Sequence, residues 1–431
     1  MLKVAVLGLG SRGKNYGEYL VKTPDVQVVA LCDKIPAKIE NVRKAWNVPA
    51  ERCYLSAETF FGQGRIADIL VIATQDKDHY GHAMRALDLG YHLLLEKPVS
   101  PDVEQCLDIE QKAREKGLKV LVCHVLRYAT YYRYIHDLIA AGELGDVLLI
   151  KHDENIAHWH FAHSYVRGNW RKESESSPMM LAKCCHDLDL IYWFAASKCK
   201  SVVSQGGLMH FKADKAPQGA ADNCFDCPHR ATCPYDCEHL YVGRKKGLIR
   251  AKRKFRWNAS FAFCLSHKTQ DILHALRNEP RGKQYARCVY RCDNDVADTQ
   301  TVQMEMCNGT QVVMTVNAFN EHDHRHTEIR GTKGELYADD MGSVIRIRHF
   351  DKRERKVVVN MIPVIKGHYG GDQGVIRALI DMLRDGKPSE HHSLIEQTVE
   401  SHRIAAAIEL SRREGGRRVE MSEIPDIRES K

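Results

Sequence analysis

Nowhere in its 431 residues does the chain carry an apolar run near the roughly 20 residues that a membrane-crossing helix needs. That excludes a membrane span and leaves a soluble globular protein as the expectation. Internal repeats and low-complexity tracts are also missing, which argues against a solenoid or a disordered linker. The first strand candidate begins at Leu2, so no room is left for the charged, apolar and small-residue sections of a signal peptide, and a cytoplasmic location is expected. Long blocks of one charge sign are scarce too. The net charge is +7, and basic residues gather only at Arg244-Lys245-Lys246 and from Arg250 to Arg256. Such a cluster reads as a solvated surface, with attraction of an anionic substrate as the alternative; neither nucleic acid nor membrane is expected as a partner.

What is present suits two cores rather than one, a cofactor domain followed by a substrate domain. Hydrophobic residues make up 44% and charged residues 28%, a globular balance. Cysteines number 15. In a reducing compartment they point to free thiols, metal ligation or core packing, not to a disulfide framework.

Val4-Ala5-Val6-Leu7 is an apolar run that ends in glycines, and a helix-like stretch to about Thr23 follows. Val26 to Cys32 is a second run ending in Asp33, followed by helical spacing from Ala37 to Trp46, which completes a βαβ unit. Ile69 to Ala73, His92 to Leu95 and Lys119 to Cys123 continue the series, with helices at His79 to Leu89 and Asp102 to Lys116. Continuous apolar strands alternating with helices predict a doubly wound parallel sheet covered on both faces.

Beyond Cys123 the pattern alternates, as in Val289-Tyr290-Arg291-Cys292 and Thr301 to Met306, which predicts a sheet with one buried face. The domains are therefore set at 1–123 and 124–431. Residues 206–259 read as an irregular, Cys-rich insertion. Two closing helices are expected at Val375 to Arg384 and Ser393 to Arg413, before Gly415-Gly416.

Gly8-Leu9-Gly10-Ser11-Arg12-Gly13 is a G-x-G-x-x-G element placed after a strand and opening a helix. In that setting the first glycine permits the turn, the second lets backbone approach a pyrophosphate, and the third allows tight helix packing. Asp33 stands where a carboxylate accepts from adenosine ribose hydroxyls, favouring NAD over NADP. Lys34 beside it could instead pair with a 2′-phosphate. The bland alternative is a structural glycine turn with a surface aspartate. Glu96-Lys97-Pro98 follows a strand, at the carboxyl edge where open α/β folds bind ligands.

Together with Ala73-Thr74, His79, His82, His124, Arg127-Tyr128, Gly142 to Val147 and Gly331 to Leu336, these elements resemble the Gfo/Idh/MocA family, the glucose-fructose oxidoreductase and inositol dehydrogenase group. The resemblance implies an N-terminal Rossmann domain and a C-terminal α/β domain with a large, open, predominantly antiparallel sheet. It also implies assembly through that sheet's exposed face, as a homodimer or homotetramer. The implied activity is hydride transfer between the cofactor and a sugar or polyol carbon, with Lys97 near the reacting hydroxyl. The cofactor set is then Gly8, Gly10, Ser11, Arg12, Gly13, Asp33, Thr74, His79, Glu96 and Lys97.

Ser177-Pro178 is read as opening a helix that carries His186, which matches the family's catalytic histidine. Histidine suits the task because its ordinary pKa of about 6.5 lets it take and return a hydroxyl proton near neutrality; in isolation it would read as a core histidine. The aspartate usual four residues earlier is Ala182 here, with Lys183 next to it. Lys183 would share a helical face with His186 and hold the reacting oxygen with Lys97, the two lysines lowering each other's pKa; otherwise it pairs with Asp187.

His160, His163, Arg167 and Trp170 are read as substrate contacts, since aromatic faces cover sugar C–H groups while polar groups read hydroxyls. His160 and His163 could alternatively form a metal pair. His322, His324, His326 and His368 are weaker candidates for the pocket rim. Cys224, Cys227, Cys233 and Cys237 give C-x₂-C-x₅-C-x₃-C, read as a structural zinc site; an iron–sulfur cluster and metal-free thiols are the alternatives.

The expected function is an NAD-dependent sugar or polyol dehydrogenase or reductase. The alternative is a glycoside hydrolase or lyase that retains NAD through a cycle of oxidation, elimination, addition and reduction. A third reading, a non-catalytic NAD-binding sensor, sits poorly with intact His186 and Lys97.

Overall fold

The computed structural model describes residues 1–426 apart from 244, 247–248, 251–258, 261, 343, 351, 360–369, 387–388 and 390. His368 and most of the basic cluster fall outside the described residues.

The N-terminal part forms a six-stranded parallel sheet from β1 (Leu2–Leu7), β2 (Val26–Cys32), β3 (Cys53–Tyr54), β4 (Ile69–Ile72), β5 (His92–Leu95) and β6 (Val120–Val122). Their order is β3-β2-β1-β4-β5-β6. Helices cover both faces, so strands such as β4 are buried throughout, which is why they read as unbroken apolar runs. The order reverses between β1 and β4, and the crevice beyond their carboxyl ends lies between the Gly8 and Ala73 turns.

The second sheet has nine strands: β7 (Val147–Ala157), β8 (Cys199–Gly207), β11 (Thr299–Met306), β12 (Gln311–Asn320), β13 (His324–Gly331), β14 (Gly334–Asp339), β15 (Val344–His349), β16 (Arg355–Val358) and β17 (Val419–Glu420). A separate two-stranded pair, β9 (Lys245–Lys246) and β10 (Ile249–Arg250), lies in the insertion. The order of the large sheet is β16-β15-β14-β13-β7-β12-β11-β8-β17. Every neighbouring pair is antiparallel except β7 with β12. Burial alternates along β11 and β12, the signature of one face on the core.

Three expectations change. Val289 to Cys292 is a turn, not a strand, because its alternation is too short to gain a pairing partner. The irregular stretch runs from the end of β8 to the start of β11 and contains the helices Thr269–Asn278 and Pro280–Tyr285. The helix Gly371–Asp385, distant in sequence, packs Val375, Ile376, Leu379 and Ile380 into the same core as β1 and β2. A cut at 123/124 therefore divides the sequence but not the packing.

Candidate active site

The three glycines divide the work of the first turn. Gly8 has φ +92°, and a Cβ there would meet the Ala73 carbonyl oxygen at 2.4 Å. A Cβ on Gly13 would meet the Gly8 carbonyl oxygen at 1.8 Å, so the helix Ser11–Leu20 seats against the turn only with glycine. Gly10 faces open space, with nothing within 4 Å of a Cβ. A tight turn backed by packing and open on one side is the cradle that a pyrophosphate requires.

Asp33 is buried and holds this turn: its Oδ2 accepts from Leu9 N at 2.7 Å and its Oδ1 from Ile35 N at 2.9 Å. A cleft beside it is lined by Gly8, Gly10, Asp33, Lys34, Lys38, Thr74 and His82. The cation closest to Asp33 is Lys38, at 3.8 Å. Burial lowers the Lys38 pKa, opposed by Asp33.

A second cleft, of about 520 Å³, shares Ala73 and Thr74 with the first. Among its walls are Arg12, Glu96, Lys97, His160, Trp170, Lys183 and His186. A hollow of the same volume at His326, Tyr337, Met341 and Arg346 contains none of these groups.

Glu96 is buried and accepts from Arg12 Nε at 2.7 Å and Tyr16 Oη at 2.6 Å. Burial would raise its pKa, but Arg12 and these hydrogen bonds outweigh it and hold the carboxyl below its ordinary value. Arg12 also reaches Asp372 at 2.6 Å, so its guanidinium is committed to two carboxylates although it lines the cleft. Lys97, joined to Pro98 by a cis peptide, donates through Nζ to the Ala182 carbonyl at 2.8 Å.

The segment at Ser177 departs from expectation. A short helix, Met179–Ala182, stops at Lys183-Cys184, and a second helix, Cys185–Ala195, carries His186. Ser177 does not cap the first helix; its hydroxyl donates to Asp76 at 2.8 Å. Because the helix breaks, Lys183 and His186 do not share a helical face. Lys183 pairs with Glu154 at 2.9 Å instead of Asp187. Its pKa is raised, not lowered: burial opposes the charge, and Glu154 more than restores it.

Glu154, on β7, is the central group that the sequence reading missed. Arg325 bridges it at 2.9 Å to Asp187 at 2.6 Å, and His152 Nε2 lies 2.9 Å from Asp187. Burial raises the Glu154 carboxyl to about 7 against the pull of Arg325 and Lys183. The Asp187 carboxyl is also buried, yet Arg325 and His152 hold it well below its ordinary value. No local sequence signal marks it: the burial alternation of β7 in the fold is what places 152, 154 and 156 on the inner face. A charged residue on an inner face is a site candidate.

The remaining candidates divide. His160 lines the cleft with Nδ1 2.9 Å from Asp323, and Trp170 donates to Asp76 at 3.3 Å. His324 reaches the cleft wall, while His326 sits 3.3 Å from Glu328 at the other hollow. His163 and Arg167 are buried behind the cleft. His163 Nδ1 lies 2.7 Å from Tyr241 Oη and its ring stacks on Tyr285. His79 is fully buried with Nδ1 2.7 Å from the Pro98 carbonyl oxygen, because it begins a helix whose inner face meets the Glu-Lys-Pro loop; His82, three residues on, lines the first cleft. Ser11 is exposed at the helix start and lines neither cleft. His124, fully buried, sets its ring edge-on to His186 at 5.6 Å.

Of the four cysteines, Cys224 and Cys237 come together with Asp236, with ligand atoms within 4.8 Å of one another; Cys227 and Cys233 stand outside that group. Cys224 is pulled down to about 6, first by a hydrogen bond from Cys237 and then by Arg167, against burial.

The pattern of the oxidoreductase family with an NAD-binding Rossmann fold matches residues 2–124, and that of its C-terminal alpha/beta domain matches residues 136–421. The chain therefore belongs to the Gfo/Idh/MocA oxidoreductase family. It is 22% identical over 364 residues to the putative oxidoreductase YteT of Bacillus subtilis, covering 80% of each chain. It is 25% identical over 193 residues to an inositol 2-dehydrogenase/D-chiro-inositol 3-dehydrogenase of Lactiplantibacillus plantarum, covering 44% of this chain and 51% of that one. In fold it is similar to scyllo-inositol dehydrogenase from Lactobacillus casei, solved with NAD(H) and scyllo-inositol: TM-score 0.65, 17% identity, 98% of this chain and 99% of that one.

Proposed function

We propose that this protein is an NAD-dependent dehydrogenase or reductase of a sugar, polyol or sugar derivative. The observation that carries the reading is the Ala73-Thr74 wall shared by the two clefts. A dinucleotide laid from Asp33 across Gly10 ends beside Lys97 and His186. NAD, when bound, supplies the hydride acceptor.

His186 takes the hydroxyl proton as the alcohol is oxidised. Lys97, steered by its bond to Ala182, and Lys183, kept cationic by Glu154, stabilise the oxygen as it gains negative charge. Lys183 thus acts as a fixed charge and not as a base. Trp170 and His160 cover and orient the sugar. Asp33, on the wall of the cleft beside Gly8 and Gly10, supports NAD over NADP. The inositol dehydrogenases among its relatives support a cyclic polyol or pyranose as substrate. Assembly as a dimer or tetramer uses the outer face of the nine-stranded sheet, where Val313 is exposed.

The His160–Asp323 pair favours one second reading, a glycoside-cleaving cycle that leaves NAD unchanged, because it offers an acid–base group additional to His186. One experiment separates the two: a panel of polyols, sugars and aryl glycosides, with cofactor absorbance and aglycone release followed together. Stoichiometric NADH formation supports the dehydrogenase; aglycone release with solvent deuterium entering the sugar and no NADH supports the second reading. Neither signal across the panel would defeat both.

A further inference from the structure

Three side chains that line neither cleft bring metal-binding atoms together at the far end of the helix that carries His186. His136 and Asp137 lie on the helix Thr130–Ala140, and His391 lies just before the helix Ile395–Arg413. One nitrogen or oxygen from each falls within 4.8 Å of the other two. His136 Nδ1 is 3.4 Å from Asp137 Oδ1, and His391 Nε2 is 3.8 Å from the same oxygen. A tetrahedral zinc ion with bonds of about 2.1 Å sets its ligand atoms about 3.4 Å apart, so both spacings to Asp137 are close to the edge of one coordination shell.

Packing orients both rings. The His136 ring stacks on Trp193 at 4.0 Å and 9°, and the His391 ring stands edge-on to the same indole at 5.8 Å and 87°. The two imidazoles meet edge to face at 5.3 Å. Their side chains are only 12% and 18% exposed, so little rotamer freedom remains to be lost on binding an ion. Asp137, at 56%, leaves one side of the group open to water. Two imidazoles with one carboxylate suit a borderline cation, whereas magnesium and calcium prefer all-oxygen sets.

We propose that His136, Asp137 and His391 bind a zinc ion, with water in the fourth position, and that the ion clamps the helix Thr130–Ala140 to the segment entering the helix Ile395–Arg413. Both histidine rings pack on Trp193, which lies on the helix Cys185–Ala195 about two turns beyond His186. Arg127 ties the same parts together: its guanidinium lies over the Trp193 ring at 5.4 Å, pairs with Asp189 on that helix at 2.7 Å and donates to the His392 carbonyl at 3.5 Å. An ion here braces the helix of His186 from its far end. The site uses no sulfur and is separate from Cys224, Cys237 and Asp236.

The test is a calorimetric titration of the metal-stripped full-length protein with zinc chloride, repeated with cobalt(II) as a spectroscopic probe. A site with a Kd of about 10 μM or below is expected, weakened at least about 100-fold in His391→Ala and in Asp137→Asn and retained in Cys224→Ser. Cobalt(II) should give visible d–d bands without a thiolate charge-transfer band, which separates this site from the cysteines. Zinc should raise the melting temperature of the wild type but not of His391→Ala. Zinc binding weaker than about 100 μM in the wild type, cobalt spectra dominated by thiolate bands, or unchanged affinity in both ligand variants each overturns the site. Binding that leaves the melting temperature where it was overturns the clamp. Asp137 is exposed, so Asp137→Asn keeps the test open if His391→Ala fails to fold.

Discussion

Lys97 Nζ donates to the carbonyl oxygen of Ala182 at 2.8 Å. The helix Met179–Ala182 ends there, and the last carbonyls of a helix lack intrahelical partners, so one of them is available to steer the lysine. A backbone oxygen thus holds the amine where Ala182 has no polar side chain. Lys97→Met should therefore lower kcat by at least about 10²-fold while the Kd for NAD stays within about threefold. A variant with normal turnover would remove Lys97 from the chemistry.

His186→Ala is expected to reduce turnover by about 10²-fold or more, with cofactor binding intact, because it removes the group that accepts the hydroxyl proton. The check is steady-state kinetics on any substrate found in the panel, alongside a fluorescence titration with NADH. An unchanged rate would return His186 to the class of core histidines.

Gly10→Ala and Gly13→Ala should fail in different ways. A methyl group at 13 collides with the Gly8 carbonyl, so Gly13→Ala should lower the melting temperature and abolish binding together. At 10 the methyl has free space in the protein, so Gly10→Ala should keep the melting temperature and weaken NAD by about tenfold or more through the pyrophosphate alone. Equal loss of stability in both would show that the turn serves folding and not the cofactor.

Binding titrations should show NAD preferred over NADP by at least about tenfold, since the Asp33 carboxylate repels a 2′-phosphate. Lys38, drawn to Asp33 at 3.8 Å, is the residue that could offset this. Comparable affinities would overturn the preference, and Lys38→Met would then show whether that lysine supplies it.

Acid should destabilise the protein in a window set by buried histidines. Burial depresses His124 to about 4, and His163 and His402 to about 3. Each stays neutral when folded but takes a proton when unfolded, so its contribution is whole above its ordinary value of about 6.5 and is lost as pH falls toward its folded value. Glu154 acts in the opposite sense: raised to about 7, it stabilises most below its ordinary carboxyl value and loses that contribution as pH rises. Urea titrations between pH 6.5 and 5 should show stability falling with acid, and His163→Phe should reduce the slope by up to about 1.4 kcal/mol per pH unit. No change in slope would mean that His163 is protonated in the fold.

Local rules made the cofactor half of the protein readable. A glycine turn, an aspartate at the end of the next strand and unbroken apolar strands obey constraints that act over a few residues, so Gly8, Gly10, Gly13 and Asp33 could be placed without coordinates. Lys97, His186, His160 and Trp170 were also found as candidates, and the structure brings them to one cleft.

Long-range pairing decided the rest. Helical spacing alone sets Lys183 on the face of His186, with an Asp187 pair as the alternative, but the helix breaks and its partner is Glu154 on a strand whose inward face only sheet register reveals. His163 and Arg167 belong to the same polar segment as His160, yet the winding from His158 to Arg167 turns them to its rear. Asn223 pairs with Arg287 through a backbone bridge that no local spacing encodes. Sequence by itself determined which chemistry was on offer, because residue type and local turn geometry set it. Tertiary structure alone decided which charges face one another, because a buried charge takes whatever partner the packing brings within a few ångströms.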